Sequence, residues 1–194
     1  MNAHILFIKY PEAGRVKTRL GADIGNDKAA ALYKKMAENA VGPDSLVFIE
    51  PYGRLEDFRE WLGDRQFFAQ EGGDLGERMF NALKKAFEMG YDRCVLTGSD
   101  IPGLTSEIIH DALENMQDAS IGETFDGGYY LIGFRRETLT DSIFHRMPWS
   151  TDIVFPKTMH IFESMGYSVY RTRKLRDLDT ADDLRFFPEI ADEL

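Results

Sequence analysis

An α/β fold, helices covering a mostly parallel sheet, is what this chain of 194 residues predicts. Two observations carry the reading. Strand-like and helix-like segments alternate from residue 4 to about 120, as they do in βαβ units. A hairpin signal near 119–134 then interrupts the alternation and makes the sheet mixed. No repeat, low-complexity tract or linker divides the chain, so residues 1–194 read as one domain.

The elements follow in order. HILFIKY (4–10) is a β-rich run stopped by Pro11. Residues 26–41 carry Ala, Leu and Met at helical spacing, with Asn26 or Asp27 as the expected N-cap. SLVFIEP (45–51) reads as a strand, 55–63 as a short helix and QFFAQ (66–70) as a short strand. In 74–90, Leu75, Met79, Leu83, Ala86 and Phe87 share one helical face, and Gly90 is the stop. CVLTGSD (94–100) is an apolar run ending in a polar turn, and 105–116 is a helix capped by Thr105 or Ser106. ASIGETF and YYLIGF flank a DGG turn at 126–128. A helix over 150–166 with a weak spot at Pro156, a strand over 168–175 and a short helix over 180–187 complete the chain.

Composition narrows the function. Hydrophobic residues make up 43% and charged residues 29%, as in a folded globular protein. A formal charge of −10 argues against a general nucleic-acid binder, which needs a basic footprint. A single cysteine, Cys94, excludes an intrachain disulfide. No apolar run is long enough to span a membrane. The N-terminal residues lack the pattern of a signal peptide. These features predict a cytoplasmic protein without nucleic-acid or membrane partners; nothing in them sets an oligomeric state.

Against that acidic background, KYPEAGRVKTRL (9–20) gathers Lys9, Arg15, Lys17 and Arg19. Ligands of open α/β sheets bind beyond the carboxyl ends of the strands, and this segment follows the first strand. Gly14 permits a bend. Arg15, Lys17 and Arg19 alternate, so in an extended loop they would project to one side. An anion such as a di- or triphosphate would relieve their mutual repulsion; a solvated loop paired with nearby carboxylates is the alternative. GSDIPGL (98–104) places Asp100 at the end of an apolar run on a loop stiffened by Pro102. Thr105 and Ser106 are available to cap the next helix, which frees Asp100 for a metal. Mg²⁺ takes one or two carboxylates plus phosphate oxygens and water. RDLDT (176–180) offers Asp177 or Asp179 as the second carboxylate, or merely a cap for the final helix.

Further candidates lie on later loops. In QEGGDLGERM (70–79) two glycines would let a ligand approach the backbone closely, and Gln70 could read a base edge. Asp74 and Glu77 also have the types of a capping box. FDGGYYLIG (125–133) has Asp126, Gly127, Gly128 and Tyr129 where an acceptor could dock, or simply a hairpin turn. MPWST (147–151) puts Trp149, Ser150 and Thr151 beside a helix start, as core or as acceptor-site wall. Other chemistries lack their residues. The four histidines have no zinc spacing, Cys94 sits inside an apolar run, and no G-x-S-x-G or Walker A sequence occurs.

Taken in order, KYPEAGRVKTRL, QEGGDLGERM, GSDIPGL, DGGYYLIG, MPWSTDIVF and LRDLDTADDL resemble the bacterial DUF2064 family, the glycosyltransferase-like, radical-SAM/selenodomain-associated transferases. The resemblance runs from about residue 4 to 185. That family is similar to nucleotide-diphospho-sugar transferases of the GT-A fold, including molybdopterin-cofactor and phospholactate guanylyltransferases. The resemblance implies a three-layer α/β/α GT-A fold with a mixed, mostly parallel central sheet. It implies a nucleotide at the N-terminal loop, at Lys9, Gly14, Arg15, Lys17 and Arg19. It places Gln70, Gly73, Asp74, Leu75 and Gly76 towards the base. It also implies Mg²⁺ or Mn²⁺ on Asp100, with Asp179 as second ligand. IGETFDGG stands where the family pattern has a proline-alanine pair before DGG, and the LxxGxGxR pattern of typical nucleotidyltransferases is absent. The expected activity is nucleotidyl transfer from a nucleoside triphosphate to a small acceptor, with Lys17, Arg19, Asp100 and Asp126 catalytic. Glycosyl transfer from a nucleotide-sugar, with Asp126 as general base, is the alternative; a non-catalytic nucleotide-binding regulator is the third.

Overall fold

The computed structural model describes residues 1–192. One seven-stranded sheet forms from β1 (Asn2–Lys9), β2 (Leu46–Glu50), β3 (Phe67–Ala69), β4 (Arg93–Thr97), β5 (Ala119–Glu123), β6 (Tyr129–Arg135) and β7 (Val169–Arg171). Their order is β3-β2-β1-β4-β6-β5-β7. β6 runs antiparallel to both β4 and β5, and the other pairings are parallel. The mixed, mostly parallel sheet is therefore as expected.

β1 explains why a near-continuous apolar run becomes a central strand. Ala3, Ile5 and Phe7 face one core, with α4 (Leu75–Glu88) and α6 (Val154–Ser164). Ile8 faces a second core under α2 (Asn26–Ala40) and α3 (Leu55–Leu62). Leu6 faces a third under α5 (Ser106–Glu114). Burial on both faces requires apolar residues at successive positions rather than strict alternation.

Several boundaries differ from the sequence reading. A short helix, α1 (Thr18–Ile24), precedes α2, and the two meet at Gly25, which replaces Asn26 or Asp27 as the N-cap of α2. Asn26 instead packs on Gly21, where an added Cβ would lie 2.5 Å from Asn26 Oδ1. α6 begins at Val154, not 150, and carries Pro156 in its first turn, where no intrahelical N–H bond is lost. β7 stops at Arg171, opposite Ile121, just before the β5–β6 pairing changes register at Gly122/Glu123. There the Tyr130 ring and Thr172 occupy the space a Cβ on Gly122 would need. Leu175 then rejoins the sheet edge by a single bridge to Thr124. The helix expected over 180–187 is a 3-10 segment, Ala181–Phe186, and α7 (Pro188–Ala191) follows it. No described helix is long and apolar enough to cross a membrane.

His4 on β1 gives the fold a pH dependence. Its Nδ1 is 2.9 Å from Ser45 Oγ and its Nε2 2.8 Å from Thr97 Oγ1. Burial lowers its pKa to about 4. The unfolded chain binds a proton below about pH 6.5 that the folded chain refuses, so this stability is complete above that pH and is lost as pH falls towards 4. The full difference amounts to about 3 kcal/mol. Urea midpoints at pH 7.5 and 4.5 should fall further in the wild type than in His4→Gln; equal falls would contradict the assignment.

Candidate active site

The strand order places the site. β2 and β3 lie on one side of β1, and β4 with its neighbours on the other. The direction of winding reverses between β1 and β4, so a crevice opens beyond their carboxyl ends. The segments after those two strands, 10–17 and 98–104, line it. Tyr33, reaching up from α2, ties the strand ends together. Its hydroxyl accepts from Lys9 N and is 2.8 Å from Ser99 Oγ, and burial raises its pKa.

The cationic segment is not the extended loop expected. It turns at Gly14 (φ 78°), and Lys17 adopts a left-handed conformation (φ 46°) before α1 begins at Thr18. A non-glycine residue held at positive φ costs of order 1–2 kcal/mol, a kind of strain that clusters at functional sites. Strict alternation is thus lost, yet Lys9, Arg15, Lys17 and Arg19 still line one cavity of about 450 Å³, together with Tyr33, Gln70, Leu75, Gly98, Asp100 and Asp179.

Lys17 is the centre of this cavity. Its side chain is only 4% exposed, and Nζ lies 2.8 Å from Asp100 Oδ2 and 3.8 Å from Asp179 Oδ1. Arg19 pairs with Asp179 Oδ2. Arg15 lies 3.3 Å from Glu12 Oε1 but is 76% exposed. Asp183 holds the loop that carries Asp179, accepting from the N–H groups of Asp179 and Thr180 and from the Thr180 hydroxyl. Thr180 is the N-cap of the segment that follows, and Asp179 beside it nonetheless lines the cleft.

A second cavity, of about 210 Å³, adjoins the first and shares Leu75, Gly98 and Asp100 with it. It is lined by Asp126, Gly128, Tyr129, Trp149, Ser150 and Thr151, all expected at an acceptor site, and by Thr124, Tyr130 and Asp177. Asp126 Oδ1 accepts from Thr124 Oγ1 and from Gly128 N at 3.1 Å, which leaves Oδ2 as its unengaged oxygen. The pKa of Asp177 is raised, first by burial and then by the charges of Asp126 and, more weakly, Asp100, with Lys17 opposing.

Some expected ligand contacts are instead taken by the chain itself. Gly14, Gly73, Asp74, Gly76 and Gly127 line neither of the two cavities. Gly73 N donates to Glu77 Oε2 at 2.7 Å and Glu77 N donates to Asp74 Oδ1 at 2.8 Å, a capping box at the start of α4. Gly76 is required by packing, since a Cβ there would lie 2.6 Å from Phe144 O and 2.9 Å from Trp149. Gly127 admits residue 152, whose carbonyl oxygen would lie 2.2 Å from an added Cβ. Gln70 donates from Nε2 to Ile8 O and Phe48 O, so only its Oε1 remains to meet a base. Tyr33, Thr18, Ser99, Thr124 and Tyr130 were not identified from the sequence. Tyr33 in particular looks like any core aromatic on an amphipathic helix.

The mixed seven-stranded sheet of this order, with helices on both faces, is the GT-A-like fold of nucleotidyl and nucleotide-sugar transferases. The chain belongs to DUF2064, a family described as uncharacterized proteins conserved in bacteria, whose model matches residues 32–151. It is 42% identical to a proposed nucleotide-diphospho-sugar transferase from Desulfovibrio desulfuricans G20, with a TM-score of 0.85 over 92% of this chain and 82% of that one. More distant structures share the fold alone. A nucleotidyl transferase from Methanothermobacter thermautotroptrophicus has 15% identity and a TM-score of 0.59, over 100% of this chain and 99% of that one. CMP:2-keto-3-deoxy-manno-octonic acid synthetase, in complex with CTP, has 12% identity and a TM-score of 0.53 over the same shares. No curated protein matches the chain.

Proposed function

We propose that the protein is a divalent-metal-dependent nucleotidyltransferase that moves a nucleotidyl group from a nucleoside triphosphate to a small acceptor. The observation that carries this reading is the meeting of two unlike cavities at Asp100. One is lined by Lys9, Arg15, Lys17 and Arg19, and the other by Asp126 and Asp177 without a lysine or arginine. The first suits a triphosphate, which brings negative charge and oxygens for the guanidinium groups and the ammonium. One of the structures with this fold being a nucleotidyl transferase, and another holding CTP, are consistent with it.

Among the described residues no group of three or more His, Cys, Asp and Glu is placed to hold a metal. A two-carboxylate site is the remaining option, and Mg²⁺ accepts one when phosphate and water complete its shell. The Lys17 ammonium lies within ion-pairing distance of Asp100 and Asp179 together, so one cation can serve both carboxylates. Asp100 and Asp179 would therefore hold Mg²⁺ or Mn²⁺, which when bound neutralises phosphate charge and polarises the phosphoryl oxygens. Lys17, drawn onto the triphosphate, and Arg19 stabilise the pyrophosphate as it leaves. Asp126, through Oδ2, orients the acceptor and takes its proton if the attacking group is a hydroxyl.

The position of Asp126 in the acceptor cavity also favours a second reading, glycosyl transfer from a nucleotide-sugar, in which the same carboxylate is the general base. The two differ in product, pyrophosphate in the first and a nucleoside diphosphate in the second. Nucleoside triphosphates with Mg²⁺ should raise the unfolding temperature. At a ligand concentration of ~100 Kd the stabilisation is about 2.7 kcal/mol. Pyrophosphate should then be released when an acceptor is added. Stabilisation by nucleotide-sugars alone, with nucleoside diphosphate as product, would replace the first reading by the second. Stabilisation without turnover under any acceptor would leave only a nucleotide-binding regulator.

A further inference from the structure

Arg176 joins the segments that carry three carboxylates of the candidate site. Its guanidinium carbon lies 4.5 Å from the centroid of the Phe125 ring and 3.8 Å from that of Phe186. Phe125 immediately precedes Asp126 in the turn between β5 and β6. Phe186 ends the 3-10 segment Ala181–Phe186, whose Asp183 holds the backbone at Asp179 and Thr180. Arg176 itself stands next to Asp177, which lines the second cavity. One side chain thus touches both the turn of the second cavity and the segment that fixes Asp179.

The two rings are not held by burial. Phe125 is 53% and Phe186 44% exposed. A guanidinium lying on an aromatic face covers apolar surface while its N–H edges stay in water. Lys174 lies 4.9 Å from the Phe125 centroid and Arg185 4.7 Å from that of Phe186, each on one of the two rings. Lys174 is also tied to Glu123 at 2.6 Å. Arg176 is the cation that meets both rings.

The segments joined in this way differ in what else anchors them. The turn at 124–128 sets Asp126, whose Oδ1 accepts from Thr124 Oγ1 and Gly128 N. It is tied to the sheet edge, where Phe125 N donates to Leu175 O at 3.2 Å and Leu175 N to Glu123 O at 3.1 Å. The segment of Phe186 packs instead on the core under α2 and α3, through Ala181 and Leu184. Asp179, which it holds, faces Lys17 and Arg19. A reaction that needs Asp126 and Asp179 together depends on their relative placement, and an error of about 1 Å at a reacting centre can cost roughly 10²-fold in rate.

We infer that Arg176 is a positioning residue of the transferase site. Stacked on Phe125 and Phe186, it fixes the turn carrying Asp126 and the loop carrying Asp179 relative to each other. This rests on the transferase reading and adds to it a residue that acts through other side chains.

The test uses the full chain, first without ligand. The amides of Thr124, Phe125, Gly127 and Gly128 are all hydrogen-bonded, so their hydrogen exchange reports opening of the turn. Phe186→Ala should speed that exchange about two- to fivefold, the effect of losing an exposed cation–aromatic contact, although Phe186 belongs to the other segment. Arg176→Met keeps an unbranched stem without the guanidinium and should do the same. The double variant should open no further than Arg176→Met alone, because Phe186 acts through Arg176. Arg176→Lys should restore part of the protection. The second readout is nucleoside triphosphate affinity by calorimetry, with Mg²⁺ and in EDTA. Arg176→Met should lower the Mg²⁺-dependent increment, which runs through Asp179, about two- to fivefold. It should leave the affinity in EDTA, which rests on the Lys17 segment, unchanged. Unchanged exchange at 124–128 in Phe186→Ala, additive effects in the double variant, or an unchanged Mg²⁺ increment in Arg176→Met would each overturn the inference. An equal fall in affinity with and without Mg²⁺ would show a merely structural role and overturn it too. A wild type that binds no nucleoside triphosphate, with the coupled exchange intact, would refute nucleotidyl transfer and leave the link between the two segments standing.

Discussion

Lys17→Met should change two affinities in opposite directions. Nucleoside triphosphate binding should weaken by about 1–3 kcal/mol, the worth of a charge-assisted hydrogen bond to phosphate. Binding of Mg²⁺ alone should strengthen. The reason is competition. In the ligand-free protein the Lys17 ammonium occupies the space between Asp100 and Asp179, so a divalent ion must displace it. Without the ammonium the two carboxylates repel and accept an ion more readily. Mg²⁺ should therefore bind the wild type weakly without nucleotide. Fold stability should fall only modestly, by roughly 1 kcal/mol, because Asp100 is 43% and Asp179 28% exposed and water screens what the ammonium leaves behind. Calorimetric titrations of Mg²⁺, of nucleotide and of both together measure each term. Unchanged nucleotide affinity would remove Lys17 from the phosphate site, and tight Mg²⁺ binding by the wild type would imply ligands beyond Asp100 and Asp179.

The parts of this site that were legible in the sequence share one property: their position follows from chain order. Lys17, Asp100 and Asp126 each come directly after a run that forms a strand or in the turn between two of them, and the carboxyl-end rule places such residues in the crevice. The conformation of the cationic segment was not legible. α1 buries only Leu20 and Gly21, too little for helical periodicity to register, so the left-handed start at Lys17 had no signal. The glycines show a different limit. Gly76 and Gly127 were read only as members of a nucleotide loop and of an acceptor or hairpin turn, yet what comes close to them is Trp149 with Phe144 and the backbone of Asp152. A glycine reports that something comes near; its identity depends on tertiary contacts between residues distant in the chain. The role of Tyr33 and the missing hydrogen-bond partners of Tyr129 and Trp149 are illegible for the same reason, since hydrogen bonds made or missing across the fold leave no local pattern.

Asp100→Asn should abolish transferase turnover and the metal-dependent part of nucleotide affinity while leaving the fold intact. Asp100 follows β4 on a loop restrained by Pro102 and is the one carboxylate that lines both cavities. Asparagine keeps its size and hydrogen bonding and removes the charge that would attract a divalent ion. Asp179→Asn should act in the same direction more mildly. Arg19 also pairs with Asp179, and the Asp183 carboxylate holds the backbone at 179 and 180 whatever side chain stands there. The two losses should be less than additive, because residues acting through one ion do not contribute independently. In the ligand-free protein the same coupling already runs through Lys17, which touches both carboxylates. The decisive measurement is therefore the Mg²⁺-dependent increment in nucleotide affinity, for wild type, both single variants and the double. An increment that survives in Asp100→Asn, or two losses that simply add, would mean that the carboxylates do not share a metal, and that Lys17 is the cation they have in common.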